Sequence, residues 1–208
     1  MNSRWLAVIL FSGSSLIFAQ SFEGSISVGR TLESNATLGS QAENIANGGS
    51  YNFTDGFNLN FRITLNTWKF FGHEVGYAYN RTHLNLNALN PDGSSAGSAD
   101  QGGMAVHQGF YDFLAYALPE GSRIRPFGAA GVHFANYVPP GASATYGGGQ
   151  NKFGINYGGG VKIRIAGPWG VRFDVHQFAN GKPDFGVIQG NSGWIRQTEV
   201  SAGLDFMH

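Results

Sequence analysis

From Phe153 to Ile165 every second residue is apolar or glycine: Phe153, Ile155, Tyr157, Gly159, Val161, Ile163 and Ile165. Between them stand Gly154, Asn156, Gly158, Gly160, Lys162 and Arg164. A period of two belongs to a β-strand with two unlike faces. After a turn through Ala166 to Gly170 the alternation resumes, with Val171, Phe173 and Val175 against Arg172, Asp174 and His176, which predicts a hairpin. The same pattern recurs along the chain. Phe22 to Val28 carries Glu23 on its polar face, Phe57 to Leu65 carries Arg62, and Val75 to Tyr79 carries Glu74. Ile124 to Phe134 is flanked and interleaved by Arg123 and Arg125. Trp194 to Phe206 carries Glu199 and Asp205, with Arg196 displaced onto the apolar face. The phase of the third strand breaks between Arg81 and Leu84, as either a bulge or an end beyond a membrane would produce.

A further strand, about Val106 to Ala117, brings the total to eight. Its phase follows from cost: a charge on a lipid face at mid-strand costs up to about 2–4 kcal/mol for a basic residue and less for an acidic one. Asp112 and Gln108 therefore face inward, and Tyr111 and Phe113 outward. Polar, aperiodic connections are expected at 33–55, 88–103, 139–150 and 178–193, alternating with three short turns. Long loops on one side and short turns on the other are the habit of a membrane barrel.

Composition decides between that barrel and a soluble sandwich. Charged residues make up 12% of the chain, against roughly 25% in an ordinary soluble domain, and few charges suit an exterior that is not water. The inward face collects Arg62, Arg123, Arg125, Lys162, Arg164 and Arg172 against Glu23, Glu74, Asp112, Asp174, Glu199 and Asp205. Such a set can pair inside a closed ring. Glu74 and Arg125, each just after a short turn, are expected to lie at similar depth and to interact. Aromatic residues gather where interface girdles sit: Trp68, Phe71 and Trp169 on one side, Tyr137, Phe153 and Trp194 on the other. The expected fold is all-β, an eight-stranded antiparallel up-and-down transmembrane β-barrel over residues 20–208.

Residues 1–19 read as a secretory signal, with Arg4, an apolar region of Trp5 to Phe11 and Leu16 to Phe18, and a small Ala19 before the cut. Cysteine is absent, which removes disulfides, thiolate metal sites and a lipid-modified cysteine. With 13 basic and 13 acidic residues there is no electrostatic footprint for nucleic acid. The six histidines lack metal-ligand spacing, and the glycine runs at 147–149 and 158–160 lack the lysine of a phosphate loop. No catalytic, cofactor or metal site is expected. The one faint catalytic grouping is His133 with Asn136 and Ser143.

The stretch Arg125-Pro126-Phe127-Gly128-Ala129-Ala130-Gly131-Val132, together with Gly170-Val171-Arg172-Phe173-Asp174-Val175, resembles the OmpA-type transmembrane-domain family of small outer-membrane barrels. The ending Ala202-Gly203-Leu204-Asp205-Phe206 is similar to the C-terminal aromatic signal of such barrels, here followed by Met207 and His208. The resemblance implies a bacterial outer-membrane location, contact with outer-membrane lipid, and recognition of Leu204 and Phe206 by the outer-membrane assembly machinery. No peptidoglycan-binding domain follows Phe206, so cell-wall tethering is not implied. Eight strands enclose a space just wide enough for their own side chains. The expectation is thus a filled lumen and extracellular loops with a structural or surface-interaction role toward an unidentified ligand. A narrow channel, an outer-membrane lipid-modifying enzyme and a soluble lipocalin-like barrel are the alternatives.

Overall fold

The computed structural model describes residues 21–34, 37–41, 49–90, 92–142, 149–185, 188–189 and 192–208; residues 1–19, expected to be a signal, lie outside them. The strands are β1 (Ser21–Glu33), β2 (Gly39–Gln41), β3 (Gly49–Phe53), β4 (Gly56–Thr67), β5 (Phe71–Leu89), β6 (Ser95–Tyr116), β7 (Ile124–Val138), β8 (Gln150–Ala166), β9 (Trp169–Gly181), β10 (Ile188–Gln189) and β11 (Trp194–Met207). Eight of them, β1, β4, β5, β6, β7, β8, β9 and β11, form the ring, each paired antiparallel with the next. The ring closes where β11 returns to β1, so that Ser25 stands opposite both Arg62 and Asp205. Closure leaves no edge, which is what lets a sheet cross lipid with its backbone groups satisfied.

Two periods of side chains follow from the pleat. Phe61, Ile63, Val75, Val132, Val175 and Leu204 point outward and are exposed, while Arg62, Glu74, Asp112, Arg172 and Asp174 point inward and are buried. The three short turns and both ends of the described chain share one end of the barrel. There the backbone is stitched together: Glu120 N–H donates to Lys69 O at 2.9 Å, Arg164 N–H to Arg123 O at 2.8 Å, and His208 N–H to Phe22 O at 2.9 Å. Trp68 holds a left-handed φ of 56° in the first of these turns, a conformation uncommon for a non-glycine residue.

At the opposite end three of the expected loops contain more strand than the sequence pattern indicates. The 33–55 connection folds into β2 and β3, and β3 pairs with Leu84–Ala88 of β5. The 88–103 connection is mostly sheet, with β5 running to Leu89 and β6 starting at Ser95 around a tight turn in which Gly93 adopts φ 80°. Residues 95–101 are exposed throughout, so both faces meet water and no apolar alternation marks the strand. In the 178–193 connection β9 continues to Gly181, and β10 pairs with β2. Residues 143–148 of the 139–150 connection lie outside the described residues.

The break near Arg81 resolves in the same terms. Parity never changes along β5: Thr82 and Leu84 are buried inside, and Arg81 and His83 are exposed outside. What changes is polarity. Above this level the interior becomes apolar, with Leu38, Tyr51, Phe53, Leu84, Met104, Val106, Ala135, Tyr137 and Ile195 packed as one cluster. The bulge belongs to β6, since His83 faces Gly103 but Asn85 faces Asp100. The lower barrel is solvated by lipid and the upper one by water, and each hides what its solvent rejects.

This inversion gives different tolerances at outward positions of equal parity. Val175→Arg, mid-strand on the lipid face, should lower the unfolding free energy of the barrel refolded in lipid vesicles by about 2–4 kcal/mol. His83→Arg should change it by less than about 0.5 kcal/mol. Equal losses in urea titrations would contradict the inversion.

Candidate functional site

The interior is built in layers, beginning at the short-turn end. Glu23 holds Lys162 in a short ion pair, accepts from Asn66 Nδ2 at 2.7 Å and lies 3.5 Å from Arg125 Nη1. Asp205 stands 3.8 Å from Lys162. These cations rest on aromatic faces: the Arg125 guanidinium lies 3.5 Å from the Tyr116 ring centre and that of Arg172 lies 4.8 Å from the Phe127 ring centre. Such contacts are worth more in a dry setting than at a surface.

Above them lies the central cluster. Arg172 donates through Nη1 and Nη2 to the two Glu74 oxygens at 2.5 and 2.9 Å, and through Nε to both Asp174 oxygens at 2.9 Å. Two parallel donors meeting a carboxylate give geometric specificity as well as attraction. Arg62 reaches Glu74 at 3.5 Å and Asp174 at 3.9 Å, and donates to Ser27 Oγ at 2.7 Å. Thr64 donates its hydroxyl to Glu74 at 2.6 Å. Asp112 accepts from Asn156 Nδ2 at 2.5 Å and lies 3.5 Å from His176 Nε2. Phe110 fills the space beside them because Gly76 opposite has no side chain; a Cβ there would come within 2.1 Å of the ring.

A layer of amides and hydroxyls follows. Asn80 Nδ2 donates to Gln108 at 3.1 Å and to Glu199 at 2.9 Å, Thr31 donates to Asn80 at 2.6 Å, and Gln108 donates to Gln197 at 3.0 Å. Tyr137 then donates to Asn180 at 3.0 Å and begins the apolar cap. The electrostatics follow the register. Arg125, Lys162 and Arg172 stand side by side on β7, β8 and β9, and Glu74 and Asp112 side by side on β5 and β6. Like charges on neighbouring strands repel. The barrel is narrow enough for each row to be compensated by groups reaching from other strands.

Of the twelve charged residues assigned inward from sequence, ten are buried inside: Glu23, Arg62, Glu74, Asp112, Arg125, Lys162, Arg172, Asp174, Glu199 and Asp205. The other two are not. Arg123 precedes β7 and is exposed, because the strand begins one residue later; Arg164 is only half-buried at the mouth. Of that assigned set the interior consequently holds four bases against six acids rather than matched numbers. Asp112 Oδ2, Glu199 Oε2 and both oxygens of Asp205 have no hydrogen-bond partner among the described residues, and neither do Arg62 Nε and Nη2 or Arg125 Nε.

The expected Glu74–Arg125 contact is replaced by others, Arg172 and Arg62 for Glu74 and Glu23 for Arg125. Stagger is the reason. Glu74 is in register with Asp112, and Asp112 with Gly131, six residues beyond Arg125 on β7. Tyr137 is 2% exposed and belongs to the apolar cap, not to an outer girdle, because above the membrane level the inside is the apolar side. Trp68, Phe71, Trp169, Phe153 and Trp194 are exposed on the outer surface, and Trp169 packs edge-on against Phe206. His133 is buried inside while Asn136 is outward and bonded to Asn151, so the pleat separates that grouping; Ser143 lies outside the described residues. Among the described residues no three His, Cys, Asp or Glu are grouped to hold a metal ion. Sequence reading passed over Tyr116 and Phe110 as interior residues, although both share the parity of Asp112.

Neither a family model nor a curated relative matches the sequence. Solved structures do match its shape. The outer membrane protein OprG from Pseudomonas aeruginosa superposes with a TM-score of 0.63 over 90% of this chain and 95% of its own, at 11% identity. Neisserial surface protein A (NspA) superposes with a TM-score of 0.51 over 90% of this chain and 96% of its own, at 14% identity. The fold is that of a small eight-stranded outer-membrane β-barrel. At such identities the likeness lies in the path of the backbone alone.

The central cluster makes a quantitative prediction. Glu74→Gln and Arg172→Met should each destabilise the refolded barrel by about 3–5 kcal/mol, since each leaves a buried charge uncompensated. The double variant should lose clearly less than the sum, whereas Glu74→Gln combined with Arg125→Met should be close to additive. Denaturant midpoints of the two double-mutant cycles check both statements.

Proposed function

We propose that this protein is an integral outer-membrane barrel with a closed lumen, exported by its N-terminal signal, whose short-turn end faces the periplasm and whose strand-extended end stands outside the cell. Its role is non-catalytic, a structural or surface-interaction one exerted through the exposed sheet and loops above the membrane. The observation that carries this reading is the filled interior. Glu74 and Arg172 are fully buried at mid-barrel, and Met104, Val106 and Leu38 are fully buried in the cap, so two unlike plugs stand in series. A solute would have to separate bidentate ion pairs and then cross an apolar core. The outward face supports lipid contact, and the exposure of Leu204 and Phe206 at the end of β11 supports their recognition by the assembly machinery. OprG and NspA, outer-membrane and surface proteins by name, support the location.

The narrow-channel reading has one observation in its favour. Polar atoms without partners, among them Asn60 Oδ1, Gln197 Nε2 and Asp205 Oδ1 and Oδ2, recur through the lower and middle layers, and such atoms call for buried water. Conductance separates the two readings. Purified protein in planar bilayers at neutral pH should show no large, steady current, and a Glu74→Ala, Arg172→Ala variant that is folded by heat-modifiable gel mobility should leak more than the parent. A stable wide-pore current from the unmodified barrel would overturn the closed-lumen reading.

A further inference from the structure

Arg30 and Arg81 face Phe57 of β4 from either side, at the level where the outer surface passes from lipid to water. Arg30 is held there by Asp55 at 3.2 Å. Arg81 is exposed and pairs with no acid among the described residues. Asp100, above it, is bound to His83 at 2.8 Å and accepts the Gly102 N–H at 2.8 Å. The Arg81 guanidinium lies along β6 over Gly103, where an added Cβ would collide with Nη2, Cζ and Nε. The glycine thus leaves a bed for an accessible cation that no described acid neutralises.

Below Arg81 the same face of β5 and β6 carries Tyr79 opposite His107, then Tyr77 opposite Gly109. The Tyr77 hydroxyl and His107 Nδ1 are 2.6 Å apart. A phenol and a neutral imidazole carry one polar hydrogen each. Their bond uses one; the other meets no acceptor among the described residues, at the edge of hydrocarbon, where an unmet donor is costly. Beneath them a groove of about 550 Å³ runs over Gly109 between Tyr111, Val132, Phe134 and Phe153. A Cβ on Gly109 would meet nothing within 4 Å, so the groove floor is bare backbone. His73 and Tyr111 make a similar pair lower on this face, and another groove runs along Val28, Val175 and Val200 below Arg30. What distinguishes the Arg81 site is that groove, spare donor and uncompensated cation follow one another along one strand pair. An apolar groove leading to a cation at headgroup level fits a molecule with an apolar chain and an anionic head. Guanidinium donors suit phosphate oxygens in particular.

We propose that this face binds one anionic phosphorylated lipid, its phosphate against the Arg81 guanidinium and the His107–Tyr77 pair, and one acyl chain in the groove over Gly109. The site rests on the proposed lipid contact and gives it a place and a chemistry. That the lipid belongs to the outer leaflet rests on the proposed orientation, on which the binding itself does not depend.

The test uses the ¹⁵N-labelled barrel in nanodiscs of zwitterionic dimyristoyl phosphatidylcholine. It is titrated with dimyristoyl phosphatidic acid, with dimyristoylglycerol and, separately, with sodium phosphate against sodium chloride at matched ionic strength. Phosphatidic acid should shift the Arg81 Nε–H resonance and the His107 and Val132 backbone amides saturably, leaving Arg30 and Arg172 unmoved. Dimyristoylglycerol should bind about ten-fold or more weakly, and sodium phosphate should give no saturable shift. Followed at the same two amides, Arg81→Gln should weaken apparent affinity about ten-fold or more and Arg81→Lys less. Gly109→Leu, which fills the groove, should weaken it as well. An unchanged Arg172 resonance certifies the interior of each variant, and the wild-type shifts decide the matter even if a variant fails to fold. Equal binding of dimyristoylglycerol, saturation by sodium phosphate alone, or undiminished affinity in Arg81→Gln overturns the site. Insertion without any saturable shift overturns the site and leaves the lipid contact standing; a barrel that fails to enter the nanodisc overturns both.

Discussion

Lipid offers a polypeptide neither hydrogen bonds nor counterions, and that refusal organises this molecule. It requires the ladder between β1 and β11, without which two strand edges would face hydrocarbon. It also sends ten charged side chains inward, where eight strands leave room only for side chains. The interior cannot then be loosely polar. Arg172 must meet Glu74 and Asp174, Glu23 must serve two bases, and Gly76 must lack a Cβ for Phe110 to lie against it. A buried pair of this kind adds little to stability over an apolar alternative, but breaking it is costly, so the cluster fixes one arrangement of strands.

The second half of the structure comes from a change of solvent along the axis. β5 passes from lipid to water near Arg81 without altering its parity, and the same inward row that carries Glu74, Ala78 and Asn80 goes on to carry Thr82 and Leu84. The apolar cap is thus the core of a water-solvated sheet standing on a membrane barrel. In the proposed closed-lumen reading it blocks the lumen from one side as the ionic layers do from the other. The proposed surface role would draw on what remains: hairpins raised above the membrane on a rigid base, and a charged mouth at the other end.

How much of this was legible in the sequence depends on whether a residue's two neighbours on the pleat meet different solvents. Where they do, as from Phe57 to Leu65 or Phe153 to Ile165, alternation gives strand and facing together. Where both faces are wet, as from Ser95 to Gln101, the strand persists through backbone pairing alone and the pattern is silent. Tyr137 was misplaced because an aromatic near a strand end has two opposite meanings, girdle or cap, and only the level of the membrane tells them apart. Depth is likewise absent from the period: both Glu74 and Arg125 follow short turns, yet strand stagger gives them different partners. Arg123 and Arg164 show that parity alone does not place a cation inside once the strand has reached its rim.

The inversion of polarity at constant parity is the claim on which the membrane level, the cap and the closed lumen all depend. Because the chain has no cysteine, single cysteines from Val75 to Leu89 of β5 can be spin-labelled one by one in lipid vesicles, and accessibility to oxygen and to a water-soluble nickel chelate measured at each. Expected is an oxygen maximum at Val75, Tyr77 and Tyr79, followed from His83 by a chelate maximum on the same odd-numbered parity, with Thr82, Leu84 and Leu86 shielded from both reagents. An oxygen maximum that continued past His83, or a maximum that moved to the even-numbered positions, would contradict it.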